Sequence, residues 1–215
     1  MAMPCTLVIM AKAPYPGAVK TRLVPVLGPQ GAARLAAYML EQALAQALRA
    51  RAIVPDLTLE LCVAPDATDA YWATLVGAAP VAVTQQRSGD LGERMAAAVA
   101  RVTARGDYCV LMGSDCLELT AERIAAAVTR LRREPADLVI TPARDGGYVL
   151  IGMASLHSAL FVDMPWSTSR VMALTRQRAS VLGLELVCME TLGDIDEPED
   201  LADLPQDAKF YLARP

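Results

Sequence analysis

Leu7-Val8-Ile9-Met10-Ala11-Lys12-Ala13-Pro14-Tyr15-Pro16-Gly17-Ala18-Val19-Lys20-Thr21-Arg22-Leu23 joins a short apolar run to a basic loop. Leu7–Met10 reads as a first strand. Two prolines and a glycine then hold the chain out of helix and sheet, and they place Lys20 and Arg22 just past a strand end. In open α/β sheets, ligands bind at the carboxyl ends of strands. A loop there with Lys12, Lys20 and Arg22 and no acid suits an anionic ligand, most simply a di- or triphosphate. A P-loop is excluded, because Val19 stands where the glycine before the lysine belongs and Pro14 supplies no backbone N–H. The dinucleotide pattern Gly-x-Gly-x-x-Gly is missing too. Phosphate must therefore be held more by side chains than by a full backbone cradle.

Outward from this loop, apolar runs alternate with helical stretches, the pattern of a mostly parallel sheet flanked by helices. Gly31–Arg51 carries Leu35, Met39, Leu40, Ala43, Leu44, Ala47 and Leu48 at helical spacing. Strands are expected at Leu57–Ala64, Val81–Thr84 and Tyr108–Met112, and helices at Ala67–Val76 and Leu91–Ala104. Thr120 caps a further helix that runs to Arg133. After Asp137 the rhythm changes. Leu138–Thr141 and Tyr148–Met153 are strands separated by too few residues for a helical crossover, so they are not adjacent parallel neighbours. A helix near Ser169–Leu182, a last strand at Leu184–Met189 and one short helix after Asp194 complete the expectation. No linker, repeat or low-complexity tract interrupts the chain, which reads as one domain over residues 1–215.

Of the 215 residues, 54% are apolar and 20% charged, a composition that supports a buried core. The net charge of −4 argues against a general nucleic-acid or anionic-membrane binder. No apolar run approaches the roughly 18–20 residues of a membrane span, and the N-terminus lacks the features of a signal peptide. The five cysteines include no Cys-x-x-Cys and read as free thiols in a reducing cytoplasm. The single histidine, His157, cannot build a multi-histidine metal site.

Four motifs could carry chemistry. Gly113-Ser114-Asp115 closes the central strand, and a carboxylate there, facing the basic loop, suits Mg²⁺ or Mn²⁺ bridging to phosphate oxygens. An aspartate capping the next helix is the structural alternative. Arg144-Asp145-Gly146-Gly147-Tyr148 has paired glycines that permit close approach of a ligand, and Asp145 could accept from a hydroxyl or help hold a metal. A tight turn is equally compatible with it. Asp194-Ile195-Asp196-Glu197-Pro198-Glu199-Asp200 places Asp196 where a helix N-cap would stand. Gly89-Asp90-Leu91-Gly92-Glu93-Arg94 opens a helix whose N–H groups could meet an anion or a base edge.

Together these motifs resemble a bacterial family of GT-A-fold, nucleotide-diphospho-sugar-transferase-like proteins, formerly a domain of unknown function. Its members are commonly labelled glycosyltransferases, and a subset is associated with arsenosugar biosynthesis. The carriers are Lys-x-Pro-x-Pro-Gly-x-x-Lys-Thr-Arg-Leu at 12–23, Gly-Asp-Leu-Gly-x-Arg-Met at 89–95 and Gly-Ser-Asp at 113–115. Pro-Ala-x-Asp-Gly-Gly-Tyr-x-Leu-Ile-Gly at 142–152, Trp-Ser-Thr at 166–168 and Asp-Ile-Asp-x-Pro-Glu-Asp-Leu at 194–201 complete them. The resemblance implies an α/β, Rossmann-like GT-A fold with an irregular β-rich insertion after the central strands. It implies that Lys12, Lys20, Arg22, Gly89, Asp90 and Arg94 bind the nucleotide and its phosphates. Asp115, with Asp196 as a second candidate, would hold Mg²⁺ or Mn²⁺. Asp145, Gly146, Gly147, Tyr148, Trp166, Ser167 and Thr168 would meet the second substrate, with Lys20 and Asp145 catalytic.

Related folds include the molybdenum-cofactor and phospholactate nucleotidyltransferases. Leu117 stands where the family usually has proline, and Glu197 replaces a commoner threonine. Only one acid occupies Gly-Ser-Asp, where many GT-A glycosyltransferases have Asp-x-Asp. Three readings follow: glycosyl transfer from a nucleotide-sugar to a small acceptor, nucleotidyl transfer from a nucleoside triphosphate with release of pyrophosphate, and an idle nucleotide-binding protein.

Overall fold

The computed structural model describes residues 3–133 and 136–212. Its centre is a seven-stranded sheet in the order β3-β2-β1-β4-β6-β5-β7. β1 (Cys5–Lys12), β2 (Leu57–Ala64), β3 (Val81–Gln85), β4 (Tyr108–Met112), β5 (Leu138–Pro142) and β7 (Leu186–Cys188) run parallel to their like neighbours. β6 (Tyr148–Met153) alone runs against them and inserts between β4 and β5. Its direction follows from the short 143–147 connection, which can close a hairpin but cannot hold a crossover helix.

Side chains of a strand alternate between the two faces of the sheet. On one face Cys5, Leu7, Ile9 and Ala11 pack with Leu40, Ala43, Leu44 and Ala47 of α1 (Val24–Ile53), Trp72 of α2 (Ala70–Val76) and Ile124 and Val128 of α4 (Ala121–Leu131). On the other, Val8, Cys109, Leu111 and Ile151 meet Met95, Val99 and Val102 of α3 (Leu91–Thr103) and Met172 and Ala179 of α5 (Val171–Val181). A third cluster joins Leu23, Leu35, Tyr38 and Met39 to Ile195, Leu204 and Ala208, so the C-terminal segment is clamped onto α1. That clamp carries Asp194 and Asp196 back to the first loop. No described helix is long and apolar enough to cross a membrane.

Several boundaries differ from expectation. α1 starts at Val24 rather than Gly31 and is interrupted at Gly28, whose φ of 67° takes it out of helical geometry. Pro29 restarts the helix, where its fixed φ and missing N–H carry no penalty. α2 begins only at Ala70, since Asp69 caps it by accepting from Tyr71 N. β7 is trimmed at its start because Leu184 N is used by Ala179 O of α5 and Glu185 N by Asp137 Oδ2. The tail forms a 3-10 turn, Pro198–Asp203, and then α6 (Gln206–Leu212), not one helix. Its N-cap is Glu197, in a capping box with Asp200, and not Asp196. The Asp196 carboxylate is taken by Lys20 and Arg22 instead.

Candidate active site

The loops at the carboxyl ends of β1 and β4, the β5–β6 turn and the segment after β7 meet at one edge of the sheet. A parallel bridge from Ala143 to Leu192 holds the 192–196 segment beside the β5–β6 turn. Ile195 N then donates to Asp115 O at 3.1 Å, tying this segment to the β4 loop. A cavity of about 670 Å³ opens between them. Lys12, Lys20, Arg22, Asp115, Asp145, Gly147, Tyr148, Trp166, Ser167, Thr168 and Asp196 all line it.

Its charged centre is Lys20, which adopts a left-handed backbone (φ 45°, ψ 45°) ahead of the Thr21–Leu23 turn. The ammonium donates to Asp115 Oδ2 at 3.0 Å and Asp196 Oδ1 at 3.3 Å. Only 10% of the Lys20 side chain is exposed, against 37% for Asp115 and 40% for Asp196. Burial favours the neutral amine, but the fields and hydrogen bonds of the two carboxylates outweigh it, and the ammonium is held above its ordinary range. Lys20 is thus charged at every physiological pH. Arg22, half exposed, donates from Nη1 to Asp196 Oδ2 at 2.8 Å and Glu197 Oε1 at 2.9 Å. Both Asp196 oxygens are therefore engaged. Lys12 Nζ donates to Ala18 O at 2.7 Å and braces the loop across its base.

Asp115 folds back over Gly113, where an added Cβ would stand 2.8 Å from Asp115 Oδ1. Glycine is needed there for the carboxylate to keep its place. At Gly146, φ is 92° and a Cβ would meet Ser169 O at 2.3 Å, so this glycine lets the β5–β6 turn pack on the loop before α5. Gly146 O accepts from Met172 N in the same contact, and Gly146 does not line the cavity. Asp145 Oδ1 accepts from Gly147 N at 2.8 Å, which leaves Oδ2 for other work. The Tyr148 hydroxyl and Trp166 Nε1 are buried with no hydrogen-bond partner among the described residues, and their rings meet edge to face at 6.3 Å. Buried polar groups are rarely left unpaired, and those that are tend to mark functional places.

The 89–95 motif opens α3 and reaches the cavity only in part. Asp90 caps α3 in a capping box with Glu93, and Arg94 Nε donates to Gly89 O at 2.9 Å. Gly89, Asp90 and Arg94 stay off the cavity wall, and Leu91 and Met95 of the same motif reach it instead.

Sequence reasoning passed over Asp194, which lines the cavity beside Asp115 and Asp145. Burial, then the negative fields of Asp115 and Asp145, push its carboxyl up from 3.8 to about 6, against the pull of its own backbone hydrogen bond and Lys20. The signal was present in Asp194-Ile195-Asp196, since alternate residues of an extended segment share a side. Because the native carboxyl holds its proton to higher pH than the unfolded one, stability falls as pH rises from about 4 to about 6. We expect Asp194→Asn to stabilise the ligand-free protein by ~1 kcal/mol above pH ~7, a figure discounted for solvent screening of this half-buried group. The gain should vanish below pH ~4, where aspartate is neutral in both states. Urea unfolding at the two pH values measures it, and no gain at the higher pH would contradict the repulsion.

No three carboxylate, thiol or imidazole side chains among the described residues converge to chelate a metal by themselves. The donors present are all oxygen and the acid cluster has excess negative charge, so the residues fit a hard divalent ion. Such an ion commonly takes one or two carboxylates from protein and the rest from phosphate and water.

Residues 46–168 match the model of a family described as "Uncharacterized protein conserved in bacteria", DUF2064. The chain belongs to this family. It is also similar to a protein of Desulfovibrio desulfuricans G20 provisionally described as a nucleotide-diphospho-sugar transferase. The two are 30% identical with a TM-score of 0.84, over 95% of this chain and 87% of the other. The fold, though little of the sequence, recurs in 4-diphosphocytidyl-2C-methyl-D-erythritol synthase of Anaerococcus prevotii, with 12% identity, TM-score 0.60 and coverage of 98% and 97%. It recurs in a mannosyltransferase of Pyrobaculum calidifontis bound to GDP-Man and Mn²⁺, with 12% identity, TM-score 0.57 and coverage of 90% and 57%. No curated protein matches the chain.

Proposed function

We propose that this chain, acting as one domain, is a metal-dependent glycosyltransferase that uses a nucleotide-diphospho-sugar. The observation that carries the proposal is the polarity of one cavity. Its lining joins the cations Lys20 and Arg22 to the carboxylates of Asp115 and Asp145, the Trp166 ring and Thr168. The cations suit a diphosphate, and the carboxylates with Trp166 and Thr168 suit a polyol. The description of the Desulfovibrio relative points the same way.

Asp115 and Asp194 would hold the divalent ion, which when bound supplies Lewis-acid stabilisation of the diphosphate. Lys20 adds a fixed positive charge where negative charge develops on the departing nucleoside diphosphate. Asp145 orients the acceptor hydroxyl and takes its proton as the acceptor oxygen bonds to the anomeric carbon and the bond to the diphosphate oxygen breaks. Asp145→Asn is expected to lower turnover about 10²-fold while leaving nucleotide affinity within about twofold. Steady-state rates beside calorimetry separate the two quantities. A loss of nucleotide or metal affinity as deep as that of Asp115→Asn would make Asp145 a metal ligand instead.

One observation favours a second reading, nucleotidyl transfer to a phosphorylated acceptor. Ser114 stands beside Asp115, so Gly113-Ser114-Asp115 offers a single acid at the strand end. The product decides between them: released nucleoside diphosphate supports the first reading, and released pyrophosphate the second.

A further inference from the structure

Arg22 stands in the wall between two cavities. It lines the first with Lys20 and Asp115, and it also lines a second, of about 340 Å³, whose wall includes residues 193–197. Asp194 and Asp196 belong to both walls, whereas Glu197 lines only the second of the two. The Arg22 guanidinium is drawn toward that side, where Nη1 donates to Asp196 Oδ2 at 2.8 Å and to Glu197 Oε1 at 2.9 Å. Asp196 is shared, because its Oδ1 accepts from Lys20. Glu197 pairs with Arg22 alone among the described residues. The chain around Glu197 holds it in this place. Pro198 keeps the residue before it extended (φ −109°, ψ 160°), and Asp200 Oδ2 accepts from the N–H groups of both Asp196 and Glu197. The acid is therefore preset, and the arginine is not. Half of each side chain is exposed, and an ion pair so open to water is weak. Lys20, only 10% exposed, is locked between its two acids. Both Arg22 bonds leave from Nη1, so Nη2 and Nε lie outside them, and a guanidinium fork grips phosphate oxygens in pairs. The site has one fixed cation and one parked against a rival anion.

We propose that Glu197 sets the affinity of the first cavity for a diphosphate by competing with it for Arg22. This rests on the nucleotide-binding reading above and deepens it by assigning the residue that opposes binding. When a diphosphate enters beside Lys20, the Arg22 fork turns into the first cavity and Glu197 is left to water in the second. Asp196 keeps its bond to Lys20, so the loop stays tied. The affinity gained from Arg22 is then the difference between its pairing with phosphate and its pairing with Glu197.

A double-mutant cycle read by calorimetry tests this, with Mg²⁺ and with inorganic pyrophosphate, ADP, CDP, GDP and UDP as ligands. Salt at ~0.15 M screens charges more than about 8 Å apart, so close pairing dominates the result. Glu197→Gln removes the charge and keeps a side-chain oxygen for the cap of the Pro198–Asp203 turn. It should bind pyrophosphate and the preferred nucleotide about three- to fivefold more tightly than the wild type. Arg22→Gln should bind both more weakly, and adding Glu197→Gln to it should leave affinity within about 1.5-fold of Arg22→Gln. No gain in Glu197→Gln would overturn the proposal. An equal gain in the Arg22→Gln background would overturn it too, since the acid would then act by general repulsion and not through Arg22. A wild-type protein that binds none of these ligands would instead remove the nucleotide reading itself, and the competition with it.

Discussion

Asp115→Asn is expected to lower turnover with the true substrates about 10²–10³-fold, the usual effect of removing one preorganised electrostatic group from a reacting centre. Nucleotide affinity measured with Mg²⁺ or Mn²⁺ should fall with it, while affinity without metal changes little. The fold should survive, because Lys20 keeps its bond to Asp196 at 3.3 Å and the Asp115 backbone oxygen still accepts from Ile195 N. Calorimetry with and without the ion reads both affinities. Equal affinity of mutant and parent with metal present would show that Asp115 holds no ion.

Lys20→Ala should be the second severe variant, and its effects separate by ligand. Charge-assisted hydrogen bonds contribute about 1.5–3 kcal/mol each, so affinity for a nucleoside diphosphate should drop about ten- to a hundredfold. Affinity for the bare nucleoside should hold. The variant also leaves Asp115 and Asp196 facing each other without their shared cation. Stability should therefore fall by ~1–2 kcal/mol, less than for a fully buried pair because both acids are more than a third exposed. Since the folded Lys20 is held above its ordinary 10.5, this contribution is complete below that pH and is lost as pH rises through the higher folded value. Proportional loss of nucleoside and nucleotide would mark Lys20 as a structural tie of the loop.

The sheet was legible in the sequence wherever one physical rule acted alone. The short gap between Thr141 and Tyr148 excluded a crossover, and the β5–β6 hairpin confirms that. Asp115 was placed at the end of the central strand because Gly113 and Ser114 end a fully apolar run. What stayed hidden depended on competition between distant residues. Asp196 looks like a helix cap when only its neighbours are considered, but Lys20 and Arg22 take its carboxylate and Glu197 caps the turn. Asp90 and Arg94, expected at the nucleotide, also make local bonds to Glu93 N and Gly89 O that their spacing alone did not announce. The environment of Asp194 arises from burial and from Asp115 and Asp145, which lie far from it in sequence and are brought to it by the bridge from Ala143 to Leu192 and the bond from Ile195 N to Asp115 O.

The proposed function requires that one cavity hold a nucleotide-diphospho-sugar with the help of a divalent ion. Thermal denaturation of the whole chain against a panel of nucleotide-sugars, with and without Mn²⁺, tests it most directly, because a ligand that binds only the native state raises its apparent stability. Tm should rise for at least one nucleotide-sugar, and that rise should require Mn²⁺ and be lost in Asp115→Asn. A Tm unmoved by every nucleotide-sugar in the presence of the ion would contradict it.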